Sequence, residues 1–304
     1  MNKSAIMGLA VAAIGATAIG DITSANVVGY AKDGFQQNTY RMVCSQFLKI
    51  GSDGSDMKLA DLKVNWEETN GWNCQNDMIK FVNAAGGKDF MAKFFDYSKL
   101  NFGQKNALKA LGITSAAQFT QGWYKIDDSL NPIWTECINE RPLPFGDAVL
   151  ALSGSTKAAV TTSGEVVAPV NKEIVYELTQ NTYAIVGNCT PVALTLKDFK
   201  VNWDAAANGW NCQNDMVKFV NAAGGKDFLA KFYDYSKLNF GQKNALKAMG
   251  ITSAAQFTQG WYKIDDNLNP IWTDCVNDYP VAAGAGVLTL SGSSAATIKI
   301  PSAL

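Results

Sequence analysis

The first half of the chain contains short runs in which apolar residues cluster or alternate with polar ones, and Gly, Asn, Asp and Pro separate the runs. A period of two between apolar positions is typical of β-strands that bury one face. The pattern predicts seven strands, which are Val27–Ala31, Tyr40–Ser45, Met78–Val82, Phe90–Tyr97, Gly122–Asp127, Ala148–Leu152 and Val160–Val166. The segment Asn83–Gly87 lies between two of these strands, and its composition predicts a hairpin turn.

One segment of this half has a helical period instead. Between Gly103 and Phe119 the apolar residues recur at helical spacing, and they are Ala107, Leu108, Leu111 and Ile113. Gly112 stands where a helix would end, because glycine readily adopts the left-handed conformation found there. We therefore predict one or two short helices before the strand that begins at Gly122.

The second half of the chain repeats the first. Gly71 to Cys137 recurs at Gly209 to Cys275 with an offset of 138, and six of the 67 positions differ, so 61 are identical. Such self-similarity indicates a tandem duplication. We predict a mainly β fold with two tandem β-sandwich or small-barrel domains, each with a short helical insertion. Copy one is residues 26–167, and copy two is residues 168–304.

The amino-terminal residues predict export from the cytoplasm. Lys3 provides a basic start, Ala5 to Ile19 is small and apolar, and Ala16-Thr17-Ala18 has the small-x-small cleavage pattern. An uncleaved membrane anchor is the alternative, but the uncharged stretch is only 17 residues long and is diluted by Gly, Ser and Thr. We expect residues 1–25 to be a signal peptide, and the mature chain to be secreted, periplasmic or at the cell surface without a membrane span.

Composition narrows the classes of function. The chain has no histidine, which removes Ser–His and Cys–His catalysis and every His-containing metal site. Its 26 basic and 27 acidic residues nearly cancel and form no basic block, whereas a nucleic-acid backbone requires clustered Lys and Arg. We therefore expect a protein that is not an enzyme, that has no cofactor and that does not bind nucleic acid.

Six cysteines behind a signal peptide indicate an oxidised framework. They form three matched positions per copy: Cys44, Cys74, Cys137, Cys189, Cys212 and Cys275. Cys74 to Cys137 and Cys212 to Cys275 both span 63 residues across the nearly identical block, so we predict these two disulfides. Cys44 and Cys189 are then left free and buried, or joined to each other.

Each copy has four tryptophans, which allow two interpretations. They are Trp66, Trp72, Trp123 and Trp134, matched by Trp203, Trp210, Trp261 and Trp272. The favoured interpretation is that they fill a small β core, and the alternative is that they stack on sugar rings. Trp72 lies in the polar turn Asn70-Gly71-Trp72-Asn73, so the candidate ligand-binding residues are Trp72, Asn73, Trp210 and Asn211. Trp123 and Trp261 lie in apolar strands and are expected to be buried.

Two acidic motifs have simpler explanations than catalysis or metal binding. Asp127-Asp128 recurs as Asp265-Asp266, but adjacent residues of a strand point to opposite faces, so the two carboxylates would not meet at one substrate. Leu130-Asn131-Pro132 follows the pair, so the motif predicts a turn. Asp53 and Asp56 lie in an extra loop of copy one that lacks the 12-residue spacing and terminal Glu of a calcium site. We predict no catalytic residue and no metal ligand.

Several short motifs resemble one group of proteins. They are the opening Asn26-Val27-Val28-Gly29-Tyr30 behind the signal, an Asn-x-Tyr strand, Gly122-Trp123-Tyr124, Gly146 to Val149, and the closing Ser163-Gly164-Glu165-Val166. Copy one thereby resembles uncharacterised secreted β-rich proteins of bacteria of the Verrucomicrobia and Lentisphaerae type. The resemblance implies secretion and a β fold, and it implies no site.

Two functions follow from these observations. The first is a non-enzymatic secreted or cell-envelope structural or interaction protein, built from a duplicated, disulfide-stapled β-domain. The alternative is a carbohydrate-binding protein with one tryptophan-based site per copy. The expected partners are extracellular polysaccharide or other envelope proteins.

Overall fold

The structure is a computed structural model that describes residues 28–34, 37–49, 55–65, 77–82, 89–155, 158–166, 173–190, 192–202, 215–220, 227–294 and 296–301. It is mainly β, with two α-helices in this part of the chain. The chain divides into two compact units, and the boundary follows Ala168. Within the described ranges no helix has the length and apolar character needed to cross a membrane. The predicted signal peptide, residues 1–25, lies outside these ranges.

The part of the first unit that the structure describes contains twelve strands and one α-helix. Its strands are β1 Val28–Gly34, β2 Thr39–Cys44, β3 Phe47–Leu48, β4 Met57–Lys58, β5 Lys63–Val64, β6 Met78–Phe81, β7 Phe90–Phe95, β8 Gly122–Ile126, β9 Pro132–Cys137, β10 Pro142–Leu143, β11 Ala148–Ser153 and β12 Ala159–Val166. The helix is α1 Phe102–Ala110. Short 3₁₀ turns are Leu59–Asp61, Tyr97–Lys99 and Ala116–Gln118.

The second unit has a corresponding series of elements. Its strands are β13 Ile174–Glu177, β14 Thr182–Gly187, β15 Leu194–Thr195, β16 Lys200–Val201, β17 Met216–Phe219, β18 Phe228–Tyr233, β19 Gly260–Ile264, β20 Pro270–Cys275, β21 Pro280–Val281, β22 Gly286–Ser291 and β23 Thr297–Ile300. The helix is α2 Phe240–Ala248, and the 3₁₀ turns are Leu196–Asp198, Tyr235–Lys237 and Ala254–Gln256.

Each unit is built on a six-stranded antiparallel sheet. The strand order is β2-β11-β6-β7-β8-β9 in the first unit and β14-β22-β17-β18-β19-β20 in the second. A smaller sheet has the order β1-β12-β3, with β5 also paired to β12, and its counterpart has the order β13-β23-β16. A two-stranded ladder completes each set, β10-β4 in one unit and β15-β21 in the other.

The strand and helix predictions for copy one are largely confirmed. All seven predicted strands are present, and α1 followed by the turn Ala116–Gln118 occupies the predicted helical segment. Gly112 has φ +82°, which is the left-handed conformation expected just beyond the helix. Strands β6 and β7 pair antiparallel with Phe81 opposite Phe90, as in a hairpin, although the turn Asn83–Gly87 itself lies outside the described residues. The sequence interpretation missed β9 and the four two-residue strands.

Successive residues of a strand point to opposite sides of the sheet, and the six-stranded sheet carries buried side chains on both faces. One face carries Met78, Phe95, Tyr124 and Ile126, and Leu108 of α1 packs on this cluster. The other face carries Trp123, which is 0% exposed and contacts Phe94 edge-to-face at 5.6 Å. Trp261 is equally buried, which confirms the prediction that the Gly-Trp-Tyr tryptophans belong to the core.

The Gly-Trp-Tyr motif requires its glycine. Asn139 accepts a hydrogen bond from the Trp123 N–H at 2.8 Å, and it donates one to the Gln121 carbonyl at 3.0 Å. A Cβ on Gly122 would lie 2.0 Å from the Asn139 Oδ1, and Gly122 has φ +151°. Asn277 and Gly260 repeat this arrangement. The close approach of Asn139 therefore fixes the start of β8.

One sequence interpretation is wrong: Cys44 and Cys189 are not matched positions. Cys44 pairs with Ala148, whereas Gly187 pairs with Gly286, which is the equivalent of Ala148 in the second unit. Gly187 therefore stands where Cys44 stands, and Cys189 lies two residues further along the chain. Both cysteines are buried. The interpretation failed because it matched the cysteines by their order along the chain, whereas the pairing of β2 and β14 aligns Tyr40 with Tyr183 and Cys44 with Gly187.

We expect Gly122→Ala to destabilise the protein more than Gly112→Ala. Both glycines have positive φ, but a Cβ on Gly112 meets nothing within 4 Å, so only the conformational penalty of about 1–2 kcal/mol applies there. Gly122→Ala adds the clash with Asn139, and the expected loss is about 2–5 kcal/mol. Urea denaturation of the full chain measures both. Equal losses in the two variants would contradict the role of Asn139.

Candidate functional site

The ligand-binding residues predicted from sequence lie outside the described residues. They are Trp72, Asn73, Trp210 and Asn211. The residues that flank their segments are described, and they are firmly held. Asn65 exchanges two hydrogen bonds with Ala159, through its side chain at 2.7 Å and its N–H at 3.3 Å. Asn202 repeats both bonds with Thr297.

A buried carboxylate holds the other flank. Asp77 is 0% exposed, and its oxygens accept hydrogen bonds from the Ser153 hydroxyl at 2.7 Å, the Gly154 N–H at 2.8 Å and the Ser155 hydroxyl at 2.8 Å. Asp215 makes the same three bonds in the second unit, at 2.8 Å each. Both flanks of the Trp72 segment are therefore tied to the connection between β11 and β12.

Each unit also has a cleft between the start of its helix and the hairpin that follows. The first, named the Trp134 cleft, has a volume of about 880 Å³, and its polar lining consists of Lys93, Lys99, Asn101, Gln104 and Asn131. Phe95, Leu100, Leu130, Pro132 and Trp134 form the apolar lining. The Trp272 cleft of the second unit has a volume of about 650 Å³ and the equivalent lining. The only difference among the described lining residues is Phe95, which is Tyr233 in the second unit.

Three segments of the first unit bring these side chains together. Strand β7 contributes Lys93 and Phe95, which point to the same face because they are two residues apart. Asn101 begins α1 with a capping box: its side chain accepts from the Gln104 N–H at 2.9 Å, and the Gln104 side chain accepts from the Asn101 N–H at 3.0 Å. This reciprocal pair fixes both amide side chains at one wall of the cleft.

The hairpin between β8 and β9 forms the opposite wall. Asp127 accepts hydrogen bonds from the N–H groups of Ser129 at 2.9 Å and Asn131 at 2.8 Å, and Leu130 has φ +63°. These bonds lower the pKa of the Asp127 carboxyl, with the Asn131 N–H as the largest cause. The prediction that Asp127-Asp128 forms a turn is confirmed. The turn directs Leu130, Asn131 and the start of β9 into the cleft.

Trp134 is half-buried at the base of the cleft. Its ring lies edge-on to Phe95 at 5.0 Å and to Tyr124 at 5.4 Å, and Trp272 has the same neighbours with Tyr233 in place of Phe95. Burial, with a smaller contribution from the charge of Asp265, raises the pKa of Tyr233. The Tyr233 hydroxyl, which is neutral near pH 7 as in any ordinary tyrosine, is the one chemical difference from Phe95 of the first cleft.

The described lining of the Trp134 cleft consists of ammonium, amide, aromatic and aliphatic groups. In the Trp134 cleft no described lining residue has a carboxylate, a thiol or a hydroxyl. No group of three or more Cys, Asp or Glu able to hold a metal ion occurs in the described ranges. Ammonium groups, amides and an indole are groups that bind and orient a ligand.

The sequence contained one overlooked signal for this cleft. Lys93 interrupts the apolar run from Phe90 to Phe95, on the face that also carries Met91 and Phe95. A charged residue on the inward face of a strand is often functional. Trp134 was considered with the other tryptophans, but its strand was missed, so its neighbours could not be identified.

The cysteines that the structure describes form no disulfide with one another. They are Cys44, Cys137, Cys189 and Cys275, of which Cys137 and Cys275 are exposed. Cys74 and Cys212 lie outside the described residues. The pairings Cys74–Cys137 and Cys212–Cys275 therefore remain predictions.

Comparison with known proteins identifies no relative of this chain. No family model, no curated protein and no solved structure matches this chain. The function proposed below therefore depends on the chemistry of the two clefts.

We expect the carboxylates of Asp127 and Asp265 to make the free energy of unfolding depend on pH. Hydrogen bonds lower the pKa of Asp127 and Asp265, so their contribution is present above the unfolded pKa of about 4 and is lost as the pH falls through the folded value. Asp127→Asn with Asp265→Asn should lower the urea midpoint at pH 6 and leave it nearly unchanged at pH 2.

The matched control is Asp128→Asn with Asp266→Asn, which changes the net charge equally next to the same turn. This control should leave the midpoint at pH 6 close to that of the original chain. If the two pairs of substitutions lower the midpoint by the same amount, general charge and not the turn bonds would be responsible.

Proposed function

We propose that the protein is a non-enzymatic, secreted or cell-envelope protein that binds carbohydrate, with one site in each copy. The observation that carries the proposal is the half-buried indole of Trp134 in a cleft with lysines and amides, repeated at Trp272. An indole covers the apolar face of a sugar ring, while amide and ammonium groups form hydrogen bonds with its hydroxyls. The volumes of about 650 and 880 Å³ fall in the range of small-molecule sites.

The site differs from the one expected from the sequence alone. Trp72 and Trp210 were the first candidates, and they stay predictions because they lie outside the described residues. Asn65 and Asp77 hold the Trp72 segment, and Asn202 and Asp215 hold the Trp210 segment.

We also propose that each unit is a β-sandwich, with the smaller sheet packed on the Trp123 face of the six-stranded sheet. The support is burial on both sides: Trp123 is fully buried, and Ala159 and Val160 of β12 are buried in the smaller sheet. The opposite face of the larger sheet is covered by α1 through Leu108. Export of the chain depends on the predicted signal peptide, residues 1–25.

An envelope structural or interaction protein is the second candidate. The observation that favours it is the burial of Trp123 and Trp261, since two of the eight tryptophans are used by the core and not by a ligand. Under this alternative the clefts would be incidental to the packing of the helix on the sheet, and the duplicated units would serve assembly.

We expect a glycan array to retain the mature chain, and Trp134→Phe with Trp272→Phe to weaken that retention at least about tenfold. Phenylalanine preserves the apolar packing against Phe95 and Tyr233 but presents less aromatic surface to a sugar. The control is Trp123→Phe with Trp261→Phe, which changes the core and leaves the clefts intact. Failure of every glycan to retain the chain would favour the structural alternative.

We expect non-reducing peptide mapping to find Cys74 joined to Cys137, and Cys212 joined to Cys275. Each bond would close a loop of 63 residues, which restricts the unfolded chain by about 4 kcal/mol in the simple entropic model. Reduction should therefore lower the melting temperature. A fragment that links Cys44 to Cys74, or Cys189 to Cys212, would contradict the assignment.

A further inference from the structure

The described lining of each cleft is positive and carries no negative side chain. Lys93 and Lys99 line the Trp134 cleft, and Lys231 and Lys237 line the Trp272 cleft. None of the described lining residues of either cleft is Asp or Glu. The whole chain, in contrast, has a formal net charge of −1 at pH 7. The charge of the described lining therefore differs from that of the protein as a whole.

The positions of these lysines are also informative. Lys93 is only 7% exposed on strand β7, and so is Lys231 on β18. Burial of an ammonium group costs free energy unless acceptors or an anion compensate it. All four lysines also interact within the chain. An ammonium group has three N–H donors, so it can bond a protein partner and a ligand together.

The helix start adds to the same electrostatic field. Gly103 belongs to the first turn of α1 and lines the cleft, whereas the Gln104 N–H is already bonded to the Asn101 side chain. The first N–H groups of a helix carry a partial positive charge and favour an anion. A carboxylate in this cleft would therefore meet two ammonium groups and a helix N-terminus, while the indole of Trp134 remains available to a ring.

We propose that the clefts select sugars that carry a carboxylate, that is, uronic acids within a polysaccharide. The lysines bind the carboxylate, Trp134 and Trp272 cover the ring, and Asn101, Asn131 and their counterparts Asn239 and Asn269 bond the hydroxyls. This inference rests on the proposed function, because it names the class of sugar that the same clefts bind. The two ammonium groups of each cleft offer a carboxylate an ionic contact that a neutral sugar cannot make.

The test compares acidic polymers with their own esters. Polygalacturonate and alginate, each beside its methyl ester, are titrated calorimetrically into the full mature chain at low and moderate salt. Esterification removes the charge and keeps the ring, so we expect the acid forms to bind at least about tenfold more tightly. The preference should decrease as salt rises, because the contact is partly ionic.

Matched lysine variants locate the effect. Lys99→Gln with Lys237→Gln should reduce the affinity for the acid polymers to that for the esters. Lys109→Gln with Lys247→Gln makes the same change in net charge on the exposed side of each helix, away from the cleft lining, and should leave the preference intact. Equal losses in the two pairs would show that overall charge is responsible and would overturn the inference.

The remaining outcomes separate this inference from the proposed function. If the esters bind as tightly as the acids, and Trp134→Phe with Trp272→Phe weakens both, the clefts bind sugar without selecting a carboxylate, and only this inference fails. If no polymer and no arrayed glycan binds, both fail. Polyglutamate provides carboxylates without a ring, and if it binds as tightly as polygalacturonate the site is a general anion site, which also overturns the inference.

Discussion

A buried carboxylate in each unit sets the register on which the rest of the unit depends. Asp77 has no exposed surface, and the hydroxyl and N–H donors of Ser153 to Ser155 replace the water that its carboxyl group loses on burial. These bonds place Met78 opposite Leu152 at the start of β6. A slip of one residue would turn every side chain of β6 to the other face and would leave the carboxylate buried without its donors.

The register then determines where the cleft can form. Strand β7 pairs with β6 through Ile79 opposite Ala92, and β8 pairs with β7 through Lys93 opposite Tyr124. Lys93 and Tyr124 therefore share the face covered by α1, and the same alternation brings Trp134 of β9 to that face. The cleft is the space left where the helix start and the β8–β9 hairpin cover this face incompletely.

The sequence predicted local structure better than it predicted the site. Alternating apolar residues identified strands such as β7, and helical spacing followed by Gly112 identified α1, because both signals lie within a few neighbouring residues. Strand β9 was missed because Pro132 directly follows a turn and was assigned to that turn. Proline is nevertheless acceptable at the first position of a strand. The cleft joins Lys93 to Trp134 across 41 positions of the chain, and no local pattern encodes that contact.

The near-identity of the two copies has a consequence for folding. Strand β6 places Met78 opposite Leu152, and β17 places Met216 opposite Leu290, so a strand of one copy finds nearly the same partners in the other. Exchange of strands between copies is a known route of misassembly in repeat proteins. Correct pairing must therefore be favoured by the regions in which the two copies differ. In one of these regions the Asn188 side chain donates hydrogen bonds to three carbonyl groups of its own unit, at 2.9, 2.9 and 3.2 Å. Folding of the first copy before the second leaves the ribosome would protect the chain from such exchange.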